Sequence, residues 1–406
     1  MSRCMRVYGA EATSFLQTNL VSDLSGLATL TDPFLQNPWG ISRAPTSPFW
    51  VSNQFTSTAT LYAVTGSTTV TKVNTDPANP GVPVVIPFST TPSGPQGPTG
   101  TVFNSAAAPG VFPMAQGNNP PALFMFANLN GTISAWNPTV SETAAFTQVP
   151  TSGAIYTGLA LATSSLPILP GDANSQALLY AANGAGTTGS INVFDSRFNQ
   201  AMGLPPGAFA TPAAISARGL VPFNVQVLNG LVYVTYAPSG HTAQANATAG
   251  QGAVAVFNLD GSSLSNTSLV VGSPHLAAPW GLAIAPAGFG QFGGDLLVGN
   301  FSGINLGISV FDPVTGAFVA TIPIDPGSGN TSFLWALAFG TGLGTGGDLN
   351  TLYFTDGLNS ERDGLFGAIS AVASAVPEPS TWAMMLIGFA GLGFAFRQSR
   401  RKVAMA

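Results

Sequence analysis

Five polar residues recur at one point of a repeated phrase and are the most regular candidates for chemistry in this chain: Asn53, Asn128, Asn183, Asn300 and Asp356. Each closes an apolar stretch, such as Leu296 to Asn300 or Thr351 to Asp356, just before a turn. Brought to equivalent positions around a ring, their amide and carboxylate oxygens would suit Ca2+, which takes roughly 6–8 oxygen ligands. The same residue types also start turns by bonding their own backbone. Only Asp356 is charged, and a catalytic calcium site wants more anionic ligands, so the turn reading is the stronger. No catalytic residue is assigned. Calcium, with Asp356 as its anionic ligand, is the one cofactor left open.

Other chemistries fail on residue supply. The chain has two histidines, His241 and His275, each beside Gly or Pro in an expected loop. A zinc site draws on several His, Cys or carboxylate ligands, and no HExxH stands in the sequence. No Gly-x-Ser-x-Gly elbow precedes a helix. Gly184, Gly186 and Gly189 approach a GxGxxG spacing but join two strands with no helix after them, so they read as a turn. Cys4 is the only cysteine, which rules out an internal disulfide. Glu361-Arg362-Asp363, the one charge cluster of the body, reads as a solvated loop. Trp39, Trp280 and Trp335 each open a repeat beside Gly or Ala. Exposed, they would stack on sugar rings; their matched positions favour packing between repeats.

The elements that position these residues follow from the repetition. A small residue flanked by apolar ones leads through a turn into a strand ending in Asn or Asp, then into another strand. Trp280-Gly-Leu-Ala-Ile284, Asp295 to Asn300 and Gly307 to Asp312 form the clearest copy, and Trp335 to Phe339, Thr351 to Asp356 and Gly367 to Val372 the last. Openings fall near residues 40, 100, 158, 224, 281 and 336. Repeats of this length with about four strands each indicate propeller blades. The sixth copy stops at its third strand, and Thr18 to Ser22 is placed to supply the missing outer one and close the ring. A pair of β-sandwiches is the competing architecture, but it leaves six restatements unexplained.

Composition agrees. Apolar residues make up 45% of the 406 and charged residues 7%, against roughly 25% charged in an average domain. The 48 Gly and 32 Pro interrupt apolar runs everywhere except near the C-terminus. Residues 1–376 hold 7 Lys/Arg against 15 Asp/Glu, too few cations to neutralise phosphates, so nucleic acid is excluded as a partner.

The C-terminus carries the most specific local pattern. Val376-Pro377-Glu378-Pro379-Ser380-Thr381-Trp382 leads into an apolar run to Phe396, followed by Arg397, Arg400, Arg401 and Lys402. Fifteen residues from Trp382 to Phe396 would give a helix of about 22 Å, short of the roughly 30 Å hydrocarbon core. Trp382 would lie at one interface and the basic cluster at the cytoplasmic one. These three parts resemble a PEP-CTERM sorting signal. The resemblance implies recognition of Pro377, Glu378 and Pro379 and cleavage by an exosortase of a Gram-negative bacterium, with a link to exopolysaccharide and biofilm. Met1 to Gln36 has no apolar run suited to a signal peptide. The body, from Asn19-Leu-Val-Ser-Asp23 through Asn37-Pro-Trp-Gly40, resembles an uncharacterised family of PEP-CTERM-tailed propellers of NHL and gluconolactonase-like type.

The expectation is an all-β, six-bladed propeller closed by an N-terminal strand and followed by a short transmembrane helix. Its parts would be an N-terminal tail (1–16), the propeller (17–372), a linker with the PEP motif (373–380), the helix (381–396) and a basic tail (397–406). The function expected is that of an inner-membrane-anchored precursor exported to the cell surface or matrix. There it would act as a non-enzymatic propeller binding polysaccharide or another surface protein. The alternative is a divalent-metal-dependent lactonase or hydrolase of the gluconolactonase-like type.

Overall fold

The computed structural model describes residues 14–87, 90–91, 94–150, 153–372 and 384–392. Six sheets of antiparallel blades follow one another along the chain, each matching one copy of the repeated phrase, beside a two-stranded sheet of Thr90–Thr91 and Gly94–Pro95 and a parallel pairing of Leu30–Thr31 on Ser14–Ser22. Blade 1 is built on Pro38–Ser42, Phe49–Asn53, Thr58–Thr65 and Thr69–Val73, with Val84–Val85 pairing on its third strand. Blade 2 has Pro98–Phe103, Phe124–Asn128, Ile133–Trp136 and Phe146–Val149. Blade 4 has Leu220–Leu228, Leu231–Pro238, Ala253–Phe257 and Val270–Val271, and blade 5 has Pro279–Ile284, Leu296–Asn300, Ile308–Phe311 and Phe318–Ile322. Blade 3 has three strands, Tyr156–Thr163, Ala177–Asn183 and Ser190–Phe194. Its expected fourth fails because Pro205, Pro206 and Pro212 deprive the next segment of ladder donors. Phe209 fills that place instead, its ring 5.6 Å from Tyr180 and 5.3 Å from Phe257 of blade 4.

Blade 6 closes the ring. Ser332–Phe339, Thr351–Leu358 and Asp363–Val372 supply three strands, and Ser14–Ser22 pairs antiparallel with the last, from Ser14 opposite Val372 to Ser22 opposite Leu365. Ser22 Oγ donates to the Gly364 carbonyl at 2.7 Å, and the Gly364 amide donates to Asp23 at 2.8 Å. The closing strand thus begins at Ser14, so the last residues of the tail read over 1–16 belong to the ring.

The small residues that open each phrase explain how the blades meet. The first strand of each of the six blades changes register near its opening residue, in blade 1 between Pro38 and Ile41 and in blade 5 between Pro279 and Leu282. At Gly40 a Cβ would come within 2.6 Å of the Thr99 carbonyl oxygen of blade 2. Gly100 and Gly281 meet the backbone of blades 3 and 6 in the same way, and Gly158 meets Asn224 of blade 4. At these four openings the first strands approach too closely for a side chain, whereas blades 4 and 6 open on Asn224 and Ala336.

The C-terminal helix is described over residues 384–392, all of them exposed. Nine residues extend about 13 Å, and among the described residues no helix is long and apolar enough to cross a membrane. Residues 381–383 and 393–396 of the expected span lie outside the described set.

Candidate functional site

In an up-and-down blade the chain reverses at every turn. Connections leading into first strands and turns joining second to third strands therefore open on the same face. The five ring candidates all stand on that face, at or near the end of a second strand. Their polar atoms are largely used within their own blades. Asn183 Oδ1 accepts from the amides of Ile155 and Ala185, each at 3.0 Å. Asn300 Oδ1 accepts from the Ala277 amide at 2.9 Å while its Nδ2 reaches Ser309 and the carbonyls of His275 and Gly307. Asn53 donates to Thr58 and Thr60, and Asn128 to Thr132 and Ser134. Their Oδ1 atoms are buried without a partner among the described residues.

Asp356 occupies the same position in blade 6. Its two oxygens accept from the Phe333 amide at 2.7 Å and from Ser332 Oγ at 2.8 Å. Burial pushes its carboxyl up to about 7, against the opposing pull of those two hydrogen bonds. The contact from the second-strand end to the amide before or at the first strand recurs at Asn183, Asn300 and Asp356. It staples the two strands where the inner one bulges.

The axis is filled. Trp39, Trp280 and Trp335 are at most 2% exposed, and Phe223 and Phe301 are fully buried. Trp39 stacks on Trp335 with centroids 3.5 Å apart, Trp280 meets both edge-on at 6.1 and 5.6 Å, and Phe301 lies 4.2 Å from Trp335. Trp39 of blade 1 also reaches Phe223 of blade 4 at 6.4 Å. Blades 1 and 4 are opposite in a ring of six, so this contact exists only across the centre. The tryptophans therefore pack between neighbouring blades, as their matched positions suggested, with Trp39 on Trp335 and Trp335 on Trp280, and they also meet across the axis through Trp39 and Phe223.

The reading of the charge cluster as a solvated loop holds for Arg362, which is exposed, but is corrected at Glu361. Glu361 is only 7% exposed. Asn359, Ser360 and Glu361 all adopt left-handed backbone, with φ of 53°, 58° and 64°. This unusual run turns the Glu361 carboxylate inward over the plug. Its Oε2 meets His241 Nε2 from blade 4, and its Oε1 accepts from Asn37 Nδ2 at 3.2 Å. Asn37, itself at φ 46°, also donates to Gln54 Oε1 at 2.9 Å and accepts from Trp335 Nε1 at 3.0 Å. The buried carboxylate is thus held from below by an amide anchored to the aromatic plug. The His241 side chain remains 58% exposed. Its hydrogen bond to Glu361 raises the imidazole above its ordinary value, against the smaller effect of desolvation. A solvent-facing imidazole oriented by a pinned carboxylate can exchange protons or hydrogen bonds with a ligand.

His241 appeared in the sequence as a loop residue with no partner, and Asn37 and Gln54 carried no signal beyond lying near Trp39. The pair joins residues 120 apart and the Asn37 contact residues 324 apart. His275 stacks on Phe318 at 3.4 Å. Pro377, Glu378, Pro379, Arg397, Arg400, Arg401 and Lys402 lie outside the described residues. Among the described residues no group of three His, Cys, Asp or Glu is placed to hold a metal ion.

Comparison with known proteins adds three findings. Residues 375–402 match the PEP-CTERM protein-sorting motif, which implies export with a membrane-anchored sorting signal and processing by an exosortase. Two uncharacterized proteins of Acanthamoeba polyphaga mimivirus match most of the chain. R648 is 30% identical over 366 residues, covering 86% of this chain and 78% of that one. L690 is 28% identical over 363 residues, covering 86% and 84%. Among solved structures, a glucose dehydrogenase aligns over 89% of this chain and all of its own at 11% identity and a TM-score of 0.41. The gluconolactonase XC5397 of Xanthomonas campestris aligns over 61% of this chain and 82% of its own at 13% identity and a TM-score of 0.28. The chain belongs to the family of the mimiviral protein R648 and ends in a PEP-CTERM sorting motif.

Proposed function

We propose that this exosortase-sorted protein is a non-enzymatic binding propeller of the cell surface or matrix, engaging polysaccharide or another surface protein and linked to exopolysaccharide and biofilm. The observation that carries this reading is the aromatic plug. Trp39, Phe223, Trp280, Phe301 and Trp335 occupy the centre, where a propeller enzyme with an axial metal would keep a polar cavity.

The competing reading, a metal-dependent lactonase or hydrolase, draws its support from two unpartnered oxygens, on Asn53 and Asn128, and from Asp356. The donor set does not fit a calcium ion. Both oxygens are neutral, Asn183 and Asn300 spend theirs on backbone amides, and burial favours the uncharged form of Asp356. The test is turnover of simple lactones and esters by the full chain, with Ca2+ and then EDTA, beside its melting under the same conditions. No turnover and an unchanged midpoint are expected. Hydrolysis that EDTA abolishes would overturn the proposal.

A further inference from the structure

We propose that the mouth above the plug is a binding site for an uncharged saccharide, with His241 as its hydrogen-bonding group and Phe55 as its stacking face. This deepens the binding reading above and rests on it. The first observation is the arrangement of the imidazole. Glu361 is held by Asn37, and Asn37 by Trp335 and Gln54. The chain accepts three successive left-handed residues to put that carboxylate there. Backbone strain of this kind collects where function demands a fixed geometry. The turn joins the second and third strands of blade 6, closed by the Arg362 amide donating to the Leu358 carbonyl at 3.0 Å and by Asn359 donating to Asp363 at 2.8 Å, so the carboxylate it carries is held in place.

The chemistry of the imidazole selects the ligand. An ionised carboxylate only accepts hydrogen bonds, so the ring carries its proton on Nε2 toward Glu361 and leaves Nδ1 for the ligand. Nδ1 accepts in the neutral ring and donates in the protonated one. A hydroxyl satisfies both states, whereas a carbonyl satisfies only the second. The surroundings disfavour an anion, with Asp363 and Asp23 beside the Glu361 turn and Arg362 the only cation in that turn.

The second observation is the rim. Gln54, which bonds Asn37, is followed directly by Phe55, 44% exposed on the blade 1 turn. The blade 5 turn on the same face carries Ile304, 48% exposed. That turn is tied to the short helix His241–Ala245 by the Gly303 amide donating to the Ala245 carbonyl at 3.1 Å. Phe301, at its start, lies 5.9 Å from the His241 ring. Exposed apolar side chains flanking a fixed polar group suit a sugar ring, which offers an apolar C–H face and a rim of hydroxyls.

The test is calorimetric titration of the full chain, in a detergent without a sugar headgroup, with cellohexaose, maltohexaose, mannohexaose, xylohexaose and an alginate hexamer. The wild type should bind at least one neutral oligosaccharide. His241→Ala and Phe55→Ala should each weaken that binding tenfold or more. Glu361→Gln should weaken it less, and Leu166→Ala on the opposite face should leave it unchanged. Melting curves confirm that each variant is folded, and a Phe55 or His241 variant that folds normally but binds as wild type overturns the site while the binding reading stands. Binding of the alginate hexamer alone overturns the ligand class only. No binding of any saccharide withdraws the site and the polysaccharide arm of the function together.

Discussion

Replacing Asp356 by asparagine should change the pH dependence of stability more than stability itself. The carboxyl, ordinarily at 3.8, is pushed up to about 7 by burial. The folded chain therefore keeps a proton that the unfolded chain has lost between those two values. Stability from this group is fully present below the unfolded value. It falls as pH rises toward 7 and is flat above. The loss integrates to about 4 kcal/mol at 1.36 kcal/mol per unit. Asparagine has no such proton, and Asn183 and Asn300 show that its Oδ1 can take the equivalent amide hydrogen bond. Exchanging the Ser332 contact should cost about 1 kcal/mol. In urea unfolding of residues 14–372, Asp356→Asn should thus be slightly less stable than wild type at pH 4 and more stable at pH 8, by about 3 kcal/mol. The difference between the two proteins isolates this group, because every other carboxyl, including Asp23, is common to both. A difference that stays constant from pH 4 to 8 would refute the claim that Asp356 is buried with its proton.

Trp335→Ala removes the stack on Trp39 and the indole donor to Asn37 and should cost about 3–5 kcal/mol by urea unfolding, with His241 losing its fixed orientation. Glu361→Gln should lower the His241 pKa toward its ordinary value, measured by following the imidazole protons in an NMR titration, because the hydrogen bond to the carboxylate is the largest cause of its rise. Gly40→Ala places a methyl against the Thr99 carbonyl of blade 2 and should destabilise by about 1–3 kcal/mol, as overpacking does. Deleting residues 1–22 should leave Asp363–Val372 as a bare sheet edge and drive self-association, visible by light scattering.

The repeat is written in local sequence. Gly at the axis, alternating strands and Asn or Asp before a turn are local requirements, and they return in most blades: Gly opens four of the six, and Asn or Asp closes or nearly closes the second strand in five. The blade number, the closing strand near Thr18 and the sorting motif were legible for that reason. The missing fourth strand of blade 3 could also have been read from Pro205, Pro206 and Pro212, whose cost to a ladder is local. What lies on the axis and at its mouth depends on contacts between distant blades. A tryptophan beside glycine has the same local preferences whether it faces a groove or a centre, and opposite blades meet only once the ring is closed. Glu361 looked solvated because its neighbours in sequence are charged. Its neighbours in space are Asn37 and His241, brought from distant blades, and it is their hydrogen bonds that make its burial affordable.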